Sequence, residues 1–369
     1  LGLSPFKNEK TPSFTVNDEK EFYHCFSSGE HGNIFDFIMK TQSITFGEAV
    51  KALAAEAGMQ PYRFSNFDKE KEKRYLSYKQ ILEDYKDNFN KELFKNKEAL
   101  NYLKNRGINE ALINEFKIGF VPWKNSFYET LQSKFSNEEI NLTGLYYKND
   151  KSGKFVDRFN NRIIFPINNL TEDTIAFGGR IIKDGKVAKY INSSETEFYK
   201  KGRIIFNLDK AKKLRSETDK IIVVEGYMDV LSLHSSGIKN VVSNSGTALT
   251  ENQIELIWKF FSKPILCLDG DESGQQATLR IAERLFPLLT EKNKIFFSVL
   301  PSNKDPDDLI KSKGKDDFIK FIKKNYIIQD FLWNAYTKNL NINDPYEISN
   351  FEKQIKKICY TIRDDVLRK

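Results

Sequence analysis

Four short apolar runs stand at regular intervals in the second half of the chain: KIIVVE at 220–225, NVVSN at 240–244, PILCLD at 264–269 and KIFFSVL at 294–300. Each is too short for a buried helix and reads as a strand covered on both faces. The stretches between them, 227–237, 250–261 and 273–286, repeat their apolar positions with helical spacing. Repeated strand–helix–strand units of this kind predict a parallel sheet flanked by helices over residues 219–301.

The pattern is different elsewhere. Residues 1–62 predict a small unit with strands at 12–18 and 21–26, in which Phe14, Phe22, Tyr23 and Phe26 supply aromatic bulk. Helices follow at 33–42 and 45–58, and Thr45 three residues before Glu48 predicts a capping box. Residues 63–98 are dense in Lys, Glu and Asp and predict a linker that becomes a charged, solvated helix. Residues 99–218 are mixed: a helix pair over 100–118, then strands at 162–168, 174–182, 188–192 and 203–208. Gly178 and Gly179 interrupt the second of these and predict a bulge or a close backbone approach to a ligand. Residues 302–369 predict helices. The fold class is therefore α+β, with an α/β core, a small amino-terminal β domain and a carboxyl-terminal helical subdomain.

The chain has 369 residues, enough for two or three domains. No apolar stretch has the length of a membrane span, and no segment is ordered like a signal peptide. The chain opens on Leu1 and enters motif at once, as expected of an excised piece. A net charge of +7 favours a polyanionic partner, and Cys25, Cys267 and Cys359 are odd in number and far apart, which predicts reduced thiols in a cytoplasmic protein.

Against that basic background the acids are concentrated. Glu225 and Asp229 follow the first apolar run, Asp269 and Asp271 the third, and Asp305, Asp307 and Asp308 lie just beyond the fourth. Neighbouring strands of a parallel sheet end side by side, so these carboxylates are expected in one crevice. There they would suit hard divalent ions, two of which could steer phosphoryl displacement. Acids that merely cap the following helices are the plainer reading, and three clusters at strand ends argue against it.

The ordered motifs EGYMD (225–229), SNSGT (243–247), DGDESG (269–274) and DPDD (305–308) resemble the Toprim domain of bacterial DnaG-type primases. The flanking segments RGI (106–108), IGF (118–120), NRIIFPI (161–167), FGGR (177–180), KYINSSET (189–196) and KKGRIIFNL (200–208) resemble the same family, so the likeness covers essentially the whole chain.

That resemblance implies a primase that makes short RNA primers on single-stranded DNA from ribonucleoside triphosphates at the replication fork of a bacterial cytoplasm. It implies Glu225, Asp269 and Asp271 as catalytic metal ligands, joined by Asp305 and Asp307, for Mg²⁺ or Mn²⁺. It also implies a basic groove for template and nucleotide, formed by Arg106, Arg162, Arg180, Lys189, Asn192, Lys201 and Arg203. A replicative helicase would be met through a further carboxyl-terminal domain outside this sequence. The amino-terminal 62 residues resemble the family's zinc ribbon, but its ligand positions hold Ser4, Lys7, Cys25 and Ser28. With only Cys25 of four soft or borderline donors retained, the expectation is a ribbon that has lost its metal. The rival readings are a Toprim nuclease or topoisomerase, and a catalytically silent DNA-binding scaffold.

Overall fold

The computed structural model describes residues 1–18, 21–59, 66–183, 187–246, 248–268, 272–301, 304–338 and 340–368. The chain divides into two compact units, Leu1–Arg74 and Tyr75–Lys369.

In the first unit, strands β1 (Phe14–Asn17), β2 (Phe22–Cys25) and β3 (His31–Gly32) form an antiparallel sheet in that order. Helices Ile34–Gln42 and Phe46–Glu56 follow. The predicted capping box is present: the Glu48 amide donates to Thr45 Oγ1 at 3.4 Å and the Thr45 amide donates back to the Glu48 carboxylate at 2.8 Å. The aromatic core differs from expectation. Alternation along β2 turns Tyr23 and Cys25 inward, and Tyr23 packs with Phe6, Phe14 and Phe37 at centroid separations of 5.4–5.6 Å. Phe26 falls on the opposite parity, is 65% exposed and lies against the His24 ring.

The second unit begins inside the long helix Asn66–Lys95. Its charged composition suggested a solvated face, yet Tyr78, Ile81, Leu82, Tyr85, Phe89 and Leu93 form a stripe at three- and four-residue spacing that is buried in the core. Residues 75–95 thus belong structurally to the second unit rather than to a linker.

Strands β4 (Gly119–Val121), β7 (Arg162–Asn168), β8 (Thr174–Ile181) and β9 (Tyr190–Asn192) form an antiparallel sheet in that order. Between β4 and β7 lie helices Phe127–Gln132 and Asn137–Leu142 and the hairpin of β5 (Tyr146–Lys148) and β6 (Phe155–Asp157), none of which the apolar pattern indicated. The expected strand at 203–208 is not one. Lys201–Arg203 is a 3₁₀ turn, and only Phe206 bridges to Ser243, through two backbone hydrogen bonds of 2.9 and 3.2 Å.

The α/β core is as the pattern predicts. Strands β10 (Lys220–Val224), β11 (Val241–Ser243), β12 (Lys263–Leu268) and β13 (Phe296–Val299) are parallel, and β14 (Tyr326–Ile327) adds antiparallel to β13, giving the order β11-β10-β12-β13-β14. Period-two alternation splits the buried residues between two faces. Ile222, Val224, Ile265 and Cys267 join the core shared with helices Tyr227–Ser235 and Pro306–Lys323. Ile221, Val223, Leu266 and Leu268 join the core under helices Glu251–Trp258, Glu272–Leu285 and Ile328–Thr337. Among the described residues no helix is long and apolar enough to cross a membrane.

Candidate active site and its basic flank

Strands β10 and β12 are neighbours, in register from Ile222 beside Ile265 to Val223 beside Leu266. Glu225 is the first residue past β10, and β12 ends at Leu268. Asp269 and Asp271, expected after it, lie outside the described residues. The loop after β11 is tied to Glu225 through its backbone: Ser243 Oγ donates to the Glu225 carbonyl at 2.7 Å and the Gly246 amide does so at 2.9 Å. Ser245 and Gly246 take φ of 61° and 72°, so the chain makes a left-handed turn against the EG segment. Asp229 accepts from the Gly226 amide at 3.0 Å and so fixes the entry of the next helix.

Asp305 caps the helix Pro306–Lys323 by accepting from the Asp308 amide at 2.7 Å. Burial, with Asp308 and Asp307 close by, raises its carboxyl above the ordinary range. Asp307 is 2% exposed. Its Oδ2 accepts from Lys311 Nζ at 2.6 Å and from an Arg106 guanidinium nitrogen at 3.2 Å, while its Oδ1 is buried with no hydrogen-bond partner. A buried, unpaired carboxylate oxygen is costly and marks a place where an ion or water belongs. Hard oxygen donors at Glu225, Asp305 and Asp307 suit Mg²⁺ or Mn²⁺. Among the described residues no three metal-ligating side chains converge closely enough to hold an ion by themselves.

The contact of Arg106 with Asp307 joins the basic and acidic halves of the site. Arg106 follows helix Lys97–Asn105, and its guanidinium lies 5.8 Å from the centroid of Tyr102 on that helix. Arg180, at the end of β8, is 6% exposed and lies between two rings, 5.3 Å from the Tyr102 centroid and 4.9 Å from that of Tyr190. It also donates to the Tyr190 hydroxyl. Burial pushes that hydroxyl up to about 12 against the pull of Arg180. Among the described residues no carboxylate is within ion-pair reach of Arg180. A desolvated guanidinium held rigidly by aromatic faces is suited to grip phosphate.

The other expected groove residues divide by role. Arg162 is buried and donates to the carbonyls of Ala188 at 2.8 Å and Lys189 at 3.1 Å. Its guanidinium therefore fixes the segment entering β9. Asn192 is likewise engaged within the protein, donating to the Ser245 carbonyl at 3.1 Å and accepting from the Tyr227 hydroxyl at 2.6 Å. Lys189 and Arg203 are exposed and Lys201 is half-buried, and no ion pair involves them among the described residues. Gly178 and Gly179 are needed for close packing, but against protein. A Cβ at Gly178 would lie 2.3 Å from Tyr227 Cζ, and one at Gly179 would lie 2.5 Å from Phe159 Cδ1. The strand is regular there, and the register shift of β7 and β8 falls instead between Ile167 and Asn168.

Sequence reasoning passed over Tyr102, Lys311 and Tyr227. The first two were legible as helical neighbours, four residues before Arg106 and four after Asp307. Tyr227 lies within EGYMD itself, but its partner Gly178 is 49 positions away, and nothing local announces the pairing.

In the amino-terminal unit the four ribbon positions do not fit zinc. The Cys25 thiol is buried and donates to Ser4 Oγ at 3.0 Å, and its sulfur lies 3.4 Å from Ser27 Oγ. Ser4 Oγ accepts from the amides of Phe6 and Lys7, each at 3.1 Å, and Glu9 accepts from the Ser4 and Ser13 amides at 2.8 and 3.1 Å. Burial opposes ionisation of Cys25, but its hydrogen bonding with Ser27, Ser28 and Ser4 outweighs it and brings the thiol down to about 6. One sulfur among hydroxyls is not a zinc donor set.

Comparison with known proteins identifies three domains along the chain. Residues 1–69 match the CHC2 zinc finger, residues 85–212 the DNA primase catalytic core, N-terminal domain, and residues 222–310 the Toprim-like domain. Over 369 residues the chain is 36% identical to the DNA primase of Rickettsia prowazekii (strain Madrid E), covering all of this chain and 62% of that protein. A DnaG primase catalytic domain bound to single-stranded DNA superposes with a TM-score of 0.73 at 28% identity, over 80% of this chain and 96% of that one. The zinc-binding and RNA polymerase domains of Aquifex aeolicus primase superpose with a TM-score of 0.67 at 30% identity, over 99% of this chain and 86% of that one. The fold is that of a Toprim-containing protein. More narrowly, the chain belongs to the bacterial DnaG-type DNA primase family.

Proposed function

We propose that this chain is the polymerising core of a replicative primase, which copies single-stranded DNA into short RNA primers from ribonucleoside triphosphates and releases pyrophosphate. The observation that carries the reading is the pairing of Arg106 with Asp307, which sets a phosphate-gripping cation against the acidic edge of the parallel sheet. In this reading Glu225, Asp269, Asp271, Asp305 and Asp307 hold two divalent ions. Bound there, such ions would neutralise the triphosphate and make the primer 3′-hydroxyl a better nucleophile. Arg106 and Arg180 hold phosphate oxygens, with Tyr102 and Tyr190 keeping both guanidinium groups in place. Lys189, Lys201 and Arg203 follow the template backbone as solvent-facing cations, and Arg162 fixes the segment that presents Lys189. The DnaG neighbour bound to single-stranded DNA supports the template class. A replicative helicase would be met through sequence beyond this chain, at the bacterial replication fork.

The test is primer synthesis on single-stranded DNA with labelled ribonucleotides and Mg²⁺ or Mn²⁺. Glu225→Gln and Asp269→Asn should each lower product by about a hundredfold or more, the scale expected when charge stabilisation is removed from a transition state. Full activity in either variant would end the two-ion assignment. Cleavage of the template with no nucleotide present would favour a Toprim nuclease instead.

A further inference from the structure

Asp307 is asymmetric in a way its role as a ligand does not require. Both cations that touch it, Lys311 Nζ at 2.6 Å and Arg106 at 3.2 Å, contact Oδ2, while Oδ1 is buried without a partner. Lys311 stands one helical turn after Asp307 and Arg106 comes from another subdomain, so neither the orientation nor the charge of this carboxylate depends on a single group. Two cations on one carboxylate more than offset the charge of that carboxylate, although Asp305 and Asp308 stand close by. An ion arriving at Oδ1 would therefore meet an ammonium and a guanidinium already on the same carboxyl group.

Resting on the primase reading above, we infer that Lys311 and Arg106 are resident counter-ions of Asp307, and that Lys311 holds down the affinity of the nucleotide-free site for a divalent ion. The sign follows from the geometry. If Lys311 is removed, Arg106 still donates to Oδ2, so orientation is retained while one repelling charge is lost. Had Lys311 been the only partner, its loss would free the carboxylate to turn and weaken ion binding. An incoming triphosphate carries the negative charge that offsets both cations, so ion and nucleotide binding reinforce each other. Lys311 is thus a positioning and charge-setting residue. Its side chain is 39% exposed, so solvent screens part of the repulsion.

The experiment measures Mn²⁺ binding to the full chain without nucleotide, by calorimetry and by electron paramagnetic resonance of free Mn²⁺. Lys311→Met and Lys311→Gln should bind Mn²⁺ about three- to tenfold more tightly than the unaltered chain, the scale of one partly screened like-charge contact. Lys311→Arg should bind as the unaltered chain does. The gain should shrink when salt is raised, and added ribonucleoside triphosphate should tighten Mn²⁺ binding less in Lys311→Met than in the parent. Unchanged or weaker binding in both neutral variants, with native tryptophan emission, overturns the inference. Asp307→Asn separates the two layers. If it leaves Mn²⁺ affinity unchanged, Asp307 is not a ligand and the acidic-site assignment falls together with this inference. If it weakens binding while neither neutral Lys311 variant tightens it, this inference alone falls.

Discussion

Gly178→Ala probes the joint between the two motif-bearing sheets. Tyr227 is 2% exposed, stacks on Phe165 at 5.3 Å, meets Phe206 edge-on at 4.9 Å and donates to Asn192 at 2.6 Å. A new Cβ would lie 2.3, 2.4 and 2.6 Å from three atoms of that ring, which is hemmed on its other sides and cannot swing away. Overpacking of this kind costs about 3 kcal/mol. Tyr227→Leu costs about 3–4 kcal/mol through the lost volume and the unpaired Asn192 oxygen, but it also removes the atoms that collide. Independent effects would give the double variant a loss of about 6–7 kcal/mol; a true collision leaves it near the Tyr227→Leu value, a coupling of about 2–3 kcal/mol. Urea unfolding followed by tryptophan emission reads this unit alone, because Trp123, Trp258 and Trp333 all lie beyond Arg74. Additive losses would refute the packing argument.

Asp157 and the ribbon provide two further tests. Burial pushes Asp157 up to about 7, against hydrogen bonds from the Phe159 amide and the Tyr85 hydroxyl. The folded state then keeps this proton where the unfolded chain has lost it. Its contribution is complete below the unfolded value near 4 and is lost as pH rises through about 7, up to roughly 4 kcal/mol in all. Asp157→Asn should flatten the dependence of the urea midpoint on pH between 5 and 7, and equal slopes would contradict the assignment. For the amino-terminal unit, elemental analysis should find far less than one zinc per chain, and EDTA should leave the protease resistance of residues 1–59 unchanged. Replacing Ser4 and Ser28 with Cys and Lys7 with His should restore zinc binding, whereas stoichiometric zinc in the unaltered chain would overturn the hydrogen-bonded ribbon.

The parallel core was legible because its strands are buried on both faces and bounded by helices of unmistakable period. Its strands β10 and β12 pair in parallel, and Glu225 directly follows β10. What the pattern concealed depends on contacts between distant residues. The stripe from Tyr78 to Leu93 is diluted by charged neighbours, so composition outweighed period in a helix that is half core. The run RIIFNL has strand propensity but finds only one bridging partner, and tertiary context overrode preference. At the site, residue types told which groups carry charge without telling where each one is directed. Arg162 and Arg180 lie opposite each other's neighbours on adjacent strands, yet one is bound to carbonyls and the other sits between rings. Nothing in either local sequence distinguishes them.

The two margins of the parallel sheet bear on how other molecules can engage it. On one side β14 offers just two residues before a helix begins, and on the other Phe206 already occupies the backbone groups of Ser243. Among the described residues neither border presents a free row of amides and carbonyls long enough to recruit an extended peptide. Strand donation by a binding protein is thereby disfavoured, as is edgewise self-association. Recognition of the parallel sheet is thereby directed to side chains on its helices and loops, where single substitutions can retune it without disturbing the strands.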